Sequence, residues 1–231
     1  VKTRAVENLS TRVYNQIKNL ILSNEVMPGQ KLHHQHLSER LGVSRTPVRE
    51  ALTRLVQEGY VSFLPNRGST CKEIRMQEAE ELYDLREAME AFAVEKATAR
   101  LTQAALDALR RKMDRYGEDV HQRFSRERLV YDQDVHLEIA QLAGNETLKN
   151  SLRHVFERIV LKRRTDGLYD PARGVAAHQE HLKLLEAMER RDVEQAVRVI
   201  RAHIQEGKSN TLSDLRQRQA IRELRVAETI D

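Results

Sequence analysis

Asp132 and His136 stand four residues apart in "YDQDVHLEIAQLAGN", so on a helix they share one face. Two further histidines, His181 and His203, lie ten and eleven residues on either side of a break near Arg191, where Asp192 is suited to cap the next helix. In an antiparallel helix pair they reach the same height, about 15 Å from the turn at ~1.5 Å per residue. One carboxylate and three imidazoles form an N3O donor set that suits Zn, Ni, Mn or Fe as a divalent ion, with positions left for water or an anionic ligand. The four converge only if a bundle brings three helices together. Histidines in bundles are also ordinary surface or hydrogen-bonded core residues, and His178, three before His181, is a possible substitute ligand.

A second set of residues has different chemistry. In "VSRTPVREALTRL", residues 43–55, Val48, Ala51, Leu52 and Leu55, followed by Val56, form an apolar stripe, while Arg45, Thr46, Arg49 and Thr53 occupy the other side. Arg45 and Arg49, four apart near the helix start, project together, and arginine can bond guanine O6 and N7 in a bidentate way. The plain alternative is a solvated charged face. The surroundings favour a reader of DNA. Gly42-Val43-Ser44 reads as a tight turn between two short helices, and "PNRG" at 65–68 reads as the turn of a hairpin. Asn66 and Arg67 at that tip are placed for minor-groove or phosphate contact.

The elements that must position these residues fall into two groups. A helix near 10–24 begins at Ser/Thr and ends at "MPGQ"; a short one over "HQHLSERLG" ends at Gly42; the third starts at Ser44, with Pro47 in its first turn. The extended runs "YVSFL" and "STCKEI" follow. Three helices and a hairpin make a winged helix-turn-helix over residues 1–75. From Met76 the period is helical, with helices expected near 76–100, 102–119, 124–143, 146–165, 176–190 and 192–208, broken at Gly117, Gly144-Asn145 and "GLYDPARG". The fold class is therefore mainly α, with an all-helical bundle over 76–210. Residues 211–231 read as either one more helix or a tail.

Charge follows the same division. Residues 1–75 carry 12 Lys/Arg against 6 Asp/Glu, whereas 76–231 carry 27 against 29, so the basic surplus lies in the segment expected to meet a polyanion. No run approaches the roughly 18 to 20 apolar residues of a membrane span, and the opening residues lack the apolar core of a secretory signal. A cytoplasmic protein without a membrane partner is expected. The single cysteine, Cys71, cannot form an intrachain disulfide and reads as a small side chain in a strand.

"LSERLGVSRTPVREALTRLVQEGYVSFLPNRGSTCKEI" resembles the DNA-binding domain of GntR-family bacterial transcription regulators over about forty residues. The resemblance implies operator recognition by Arg45, Thr46 and Arg49, with Gly68 letting the wing approach the DNA backbone. One departure is "HHQH" at 33–36: relatives often carry there an arginine that helps bind DNA, and Gln35 stands in its place. "LYDLREAMEAFAVEKA" at 82–97, the Asp-x3-His and Gly-Asn of 132–145, and "EHLKLLEAMERRDVEQAVRVIRAHI" at 180–204 resemble the FCD effector domain of the FadR subfamily. That resemblance implies a six- or seven-helix bundle, a homodimer, and a metal on Asp132, His136, His181 and His203 that helps hold a small carboxylate effector. Arg86, matching the family's Leu-Arg position, would pair with the effector's carboxylate; its other reading is an i,i+4 pair with Glu90. The fatty-acyl-binding namesake of the subfamily lacks this metal set, which argues for a small organic acid.

The expected function is a non-enzymatic, ligand-responsive regulator that binds double-stranded operator DNA as a homodimer. The rivals are a regulator that senses the metal itself and a metalloenzyme fused to a DNA-binding module; for the latter, no side chain outside the ligand set marks itself as general base.

Overall fold

The computed structural model describes residues 8–23, 25–119, 126–162 and 171–227. Among them are nine helices and three strands: α1 Leu9–Leu22, β1 Lys31–Leu32, α2 His34–Leu41, α3 Arg45–Gln57, β2 Val61–Leu64, β3 Gly68–Cys71, α4 Met76–Arg100, α5 Gln103–Asp119, α6 Arg126–Leu142, α7 Glu146–Lys162, α8 Pro171–Glu189 and α9 Val193–Ala227. The chain divides into two compact units, one of residues 1–74 with 157–164, the other of 75–156 with 165–231.

The first unit is a winged helix-turn-helix. Val13, Tyr14, Ile17 and Ile21 of α1, Leu37 of α2, and Val48, Ala51, Leu52 and Leu55 of α3 form its core, joined by Tyr60, Val61 and Cys71. These apolar positions recur at helical spacing, so each helix buries one stripe and leaves its polar side in solvent. Gly42 stops α2 in the left-handed region at φ 64, a conformation that costs glycine little. Ser44 stands at the head of α3 with an extended backbone, where the sequence starts this helix, and its side chain makes no capping hydrogen bond. Asn8, rather than the Ser/Thr pair, caps α1, accepting from Ser10 N at 3.2 Å.

The hairpin pairs Leu64 with Gly68 and Val61 with Cys71 in antiparallel register. Its turn closes through Arg67 N–H to Leu64 O at 3.0 Å, with Pro65 preceding Asn66 at φ 64. A third strand, β1, pairs with β3 to give the order β1-β3-β2; the sequence reading has no strand there. It is two residues long, Lys31 facing Thr70 and Leu32 facing Ser69, a pairing with a strand far along the chain that local pattern does not reveal.

The second unit is an all-helical bundle of α4, α5, α6, α8, α9 and the part of α7 up to Phe156. Ala93, Leu137, Ala140, Ala143, Leu152 and Phe156 form one core cluster between α4, α6 and α7. Gly144 at φ 71 ends α6, and Asn145 caps α7 by accepting from Leu148 N at 3.0 Å, as the Gly-Asn pair suggests. Gly117 does not break its helix; it lies within α5, where a β-carbon would come within 2.7 Å of the His178 ring, so glycine serves close packing there. α8 begins at Pro171, five residues before the expected start, with Gly174 inside it. Residues 167–170 of "GLYDPARG", position 124 and residues 163–165 fall outside the described residues.

Residues 210–227 are neither a separate helix nor a tail but the continuation of α9. Thr211 is fully buried and its hydroxyl meets Tyr83 Oη at 2.9 Å, while Leu212 is also buried and Lys208 pairs with Asp84 at 2.5 Å. No helix of the described residues is long and apolar enough to cross a membrane.

Candidate functional site

In the first unit, α3 sorts its side chains by exposure. Arg45, Thr46, Arg49, Glu50 and Thr53 are exposed, and Val48, Ala51, Leu52 and Leu55 are buried. Thr46, Arg49, Glu50, Thr53, Arg54 and Gln57 line a shallow depression along the outer side of α3. Arg45 Nη2 donates to Gln35 Oε1 of α2 at 3.2 Å, so the glutamine that stands where an arginine was expected lies beside the start of α3. Asn66, Arg67 and Gly68 are all exposed at the wing tip, and Gly68 has a φ of 80 with open space where a β-carbon would stand.

In the second unit, α6, α8 and α9 bring Asp132, His136, His181 and His203 together: one ligand atom from each lies within 4.8 Å of all the others. The i,i+4 spacing on α6 and the turn at 190–192 produce this. Arg191 adopts φ 60, Asp192 N bonds Ala187 O at 3.0 Å, and Asp192 Oδ1 caps α9 by accepting from Gln195 N at 2.9 Å. With the turn fixed, the His181 and His203 rings stand 4.6 Å apart between centroids. Nε2 of His136 and Nε2 of His181 are 3.3 Å apart, and the Asp132 carboxylate lies 3.8 Å from the first and 3.6 Å from the second. The three histidines are at most 5% exposed, whereas the Asp132 side chain is 22% exposed and so faces an opening.

Buried polar groups require partners, and here they have specific ones. His136 Nδ1 meets Glu90 of α4, and Glu90 accepts from Arg86 Nε at 2.5 Å; Arg86 Nη2 lies 3.0 Å from His136 Nε2. His203 Nδ1 meets Glu180 of α8 at 2.7 Å, and Glu180 accepts both terminal nitrogens of Arg173 at 2.8 Å. His181 Nδ1 is buried with no hydrogen-bond partner among the described residues; its ring packs edge-on against Tyr116 of α5 with centroids 5.2 Å apart. Arg86 also lies over the Phe156 ring at 4.4 Å. Arg86 thus pairs with Glu90, as its i,i+4 spacing suggests, and borders the histidine cluster.

The electrostatics favour the forms that bind cations. Burial opposes ionisation of Asp132, but His136, His181 and His203 around it hold its carboxyl well below the usual range. Burial also pushes His181 well below its ordinary value, with His203 adding to the shift, and burial lowers His203 although Glu180 pulls the other way. At Asp132, His181 and His203 these shifts run towards the forms a metal ion requires, an ionised carboxylate and an unprotonated imidazole. Glu90 is likewise opposed by burial, yet Arg86 and His136 bring it down to about 2. Donor type, spacing and inward-facing nitrogens all fit a divalent cation.

His178 is not in the cluster; it packs near Tyr116, 6.0 Å between ring centroids. His121 lies outside the described residues, and His154 is exposed elsewhere. Sequence reasoning did not single out Glu180, Arg173 or Tyr116, and took Glu90 only as a partner of Arg86. A signal for Glu180 existed: the height argument that pairs His181 with His203 places Glu180 at that level too.

Residues 9–70 match the model of the bacterial regulatory proteins of the gntR family, and residues 81–206 match that of the FCD domain. The Nta operon transcriptional regulator of Aminobacter aminovorans is 31% identical over 189 residues, covering 80% of this chain and 86% of that protein. The chain belongs to the GntR family of bacterial regulators. An uncharacterised HTH-type transcriptional regulator of Streptomyces ambofaciens is 30% identical over 83% of this GntR-family chain and 80% of its own length. Among solved structures, E. coli McbR/YncC superposes with a TM-score of 0.76 over 92% of this chain and 99% of its own, at 24% identity, and so shares the fold. The chain is a transcriptional regulator with an FCD domain, not an enzyme, and GntR regulators bind operator DNA.

Proposed function

We propose that this regulator's hold on its operator is set by a small organic acid bound at a divalent metal in the helical unit. The observation that carries the reading is the convergence of Asp132, His136, His181 and His203 within 4.8 Å beside the buried Arg86. Asp132, His136, His181 and His203 would hold Zn, Ni, Mn or Fe, and the bound ion would supply a Lewis-acid anchor for a carboxylate. Arg86 would take the other part of that acid, since its planar guanidinium matches a carboxylate fork and already borders His136. The FCD domain points to the FadR-like subfamily.

In this reading Arg45, Thr46 and Arg49 meet base edges in the major groove, Asn66 and Arg67 meet the minor groove or phosphates, and Gly68 lets the wing come close. Two copies of α3 in a homodimer would face a palindromic operator. The acid acts on DNA binding only if it and the operator favour different arrangements of that dimer. Four protein ligands also suffice to close a tetrahedral site, which favours one rival, in which the metal is itself the signal.

The test is elemental analysis of the native protein, then a thermal-shift screen of small carboxylates and an operator mobility shift with each stabilising acid. Metal in the protein together with an acid that changes operator affinity supports the reading. An operator response to metal alone, with no acid effective, would replace it with metal sensing.

A further inference from the structure

Two of the three imidazoles are gripped from behind in the same way, by different helices. On one side Arg86 of α4 holds Glu90, and Glu90 meets Nδ1 of His136 on α6. On the other, Arg173 of α8 holds Glu180 through both terminal nitrogens, and Glu180 meets Nδ1 of His203 on α9. A carboxylate accepts hydrogen bonds and, when ionised, donates none, so each contact requires the proton of its histidine to sit on Nδ1. The lone pair is then left on Nε2, the nitrogen that His136 turns towards His181 and Asp132 and that Arg86 Nη2, a donor only, meets at 3.0 Å. His181 has no such grip: its Nδ1 lacks a partner among the described residues, and the edge of Tyr116 orients its ring.

We propose that Glu90 and Glu180 are positioning residues of the metal centre, each fixing the tautomer and ring direction of one ligand histidine, with Arg86 and Arg173 fixing the glutamates in turn. This rests on the metal reading above. The arrangement makes the centre a set of two braced imidazoles and one unbraced one, and bracing of this kind raises ligand basicity and metal affinity by roughly 10- to 100-fold.

The experiment is zinc titration of the whole 231-residue chain against a chromophoric chelator, for the wild type, Glu180→Ala, Glu180→Gln, Glu90→Gln and the surface control Glu189→Ala, whose carboxylate pairs with the exposed Arg110. Glu180→Ala is expected to weaken zinc binding about 10- to 100-fold. Glu180→Gln, which keeps an acceptor oxygen, should recover part of that loss, and Glu189→Ala should match the wild type. Glu180 is half-buried in the middle of α8, whereas Glu90 is almost fully buried, so the Glu180 variants test the idea even where Glu90→Gln fails to fold. In long-range proton–nitrogen spectra of the zinc-free protein, the His203 proton should reside on Nδ1 in the wild type and be shared between both nitrogens in Glu180→Ala. A wild type that binds zinc with Glu180→Ala unchanged in affinity and tautomer overturns the proposal alone. A wild type that binds no zinc, nickel, manganese or iron overturns the metal reading beneath it.

Discussion

The polar face of α3 and the polar cluster inside the helical bundle are built from similar residue types under opposite conditions. Arg45 and Arg49 stand in water, where a charge costs almost nothing and any amphipathic helix will tolerate one. His136, His181, His203, Arg86 and Glu90 are almost fully buried, where an unpartnered polar group costs on the order of 1–3 kcal/mol and an unpaired charge more. Exposed charge therefore becomes informative only through its neighbours, the turn and the wing. A buried cluster is informative by itself, because nothing but a purpose or a dense network of partners offsets its desolvation.

Four experiments sharpen or break that contrast, taken from the largest effect to the smallest. Asp132→Ala and His203→Ala should each lose nearly all bound metal in elemental analysis of purified protein; full occupancy in both would return the cluster to an ordinary hydrogen-bonded core. Stripping metal from the wild type with a chelator should lower its stability by about 2.7 kcal/mol relative to protein held at 100 times the dissociation constant in free metal. Thermal melting with and without added metal reads this, and coincident melts would sink it. Arg49→Ala should cost roughly 1–3 kcal/mol of preference for operator over random DNA, measured by competition binding; unchanged discrimination would make the exposed face plain surface. Arg67→Ala should weaken operator and random DNA alike and reduce the salt dependence by about one ion. A change confined to the operator would instead make the wing a reader of sequence.

The same contrast governs how much could be read in the chain. α3 is legible residue by residue because its period, the Gly42 stop of α2 before it and the Asn-Arg-Gly wing after it are local signals. The four candidate ligands could be grouped because two share a helix face and two flank a countable turn. Their braces could not, since the meeting of Glu90 with His136 depends on how α4 packs against α6, and no spacing along one helix encodes that. Long-range packing also explains the misplaced helix ends. Gly117 looks like a break until His178 is seen to need its missing side chain. The helix expected near 192–208 runs on to Ala227, with Thr211 and Leu212 buried and the Thr211 hydroxyl on Tyr83.

The turn between α8 and α9 restricts how this protein can vary over evolutionary time. Arg191 in its left-handed conformation and the Asp192 cap leave no slack between the two helices. Adding a single residue within α9 before His203 would swing that imidazole by about 100° around the helix and carry it ~1.5 Å along it. Insertions and deletions here are therefore as disruptive as replacing a ligand. Among homologues that keep the three histidines, the count of residues from His181 to His203 should therefore stay constant even where the sequence between them does not.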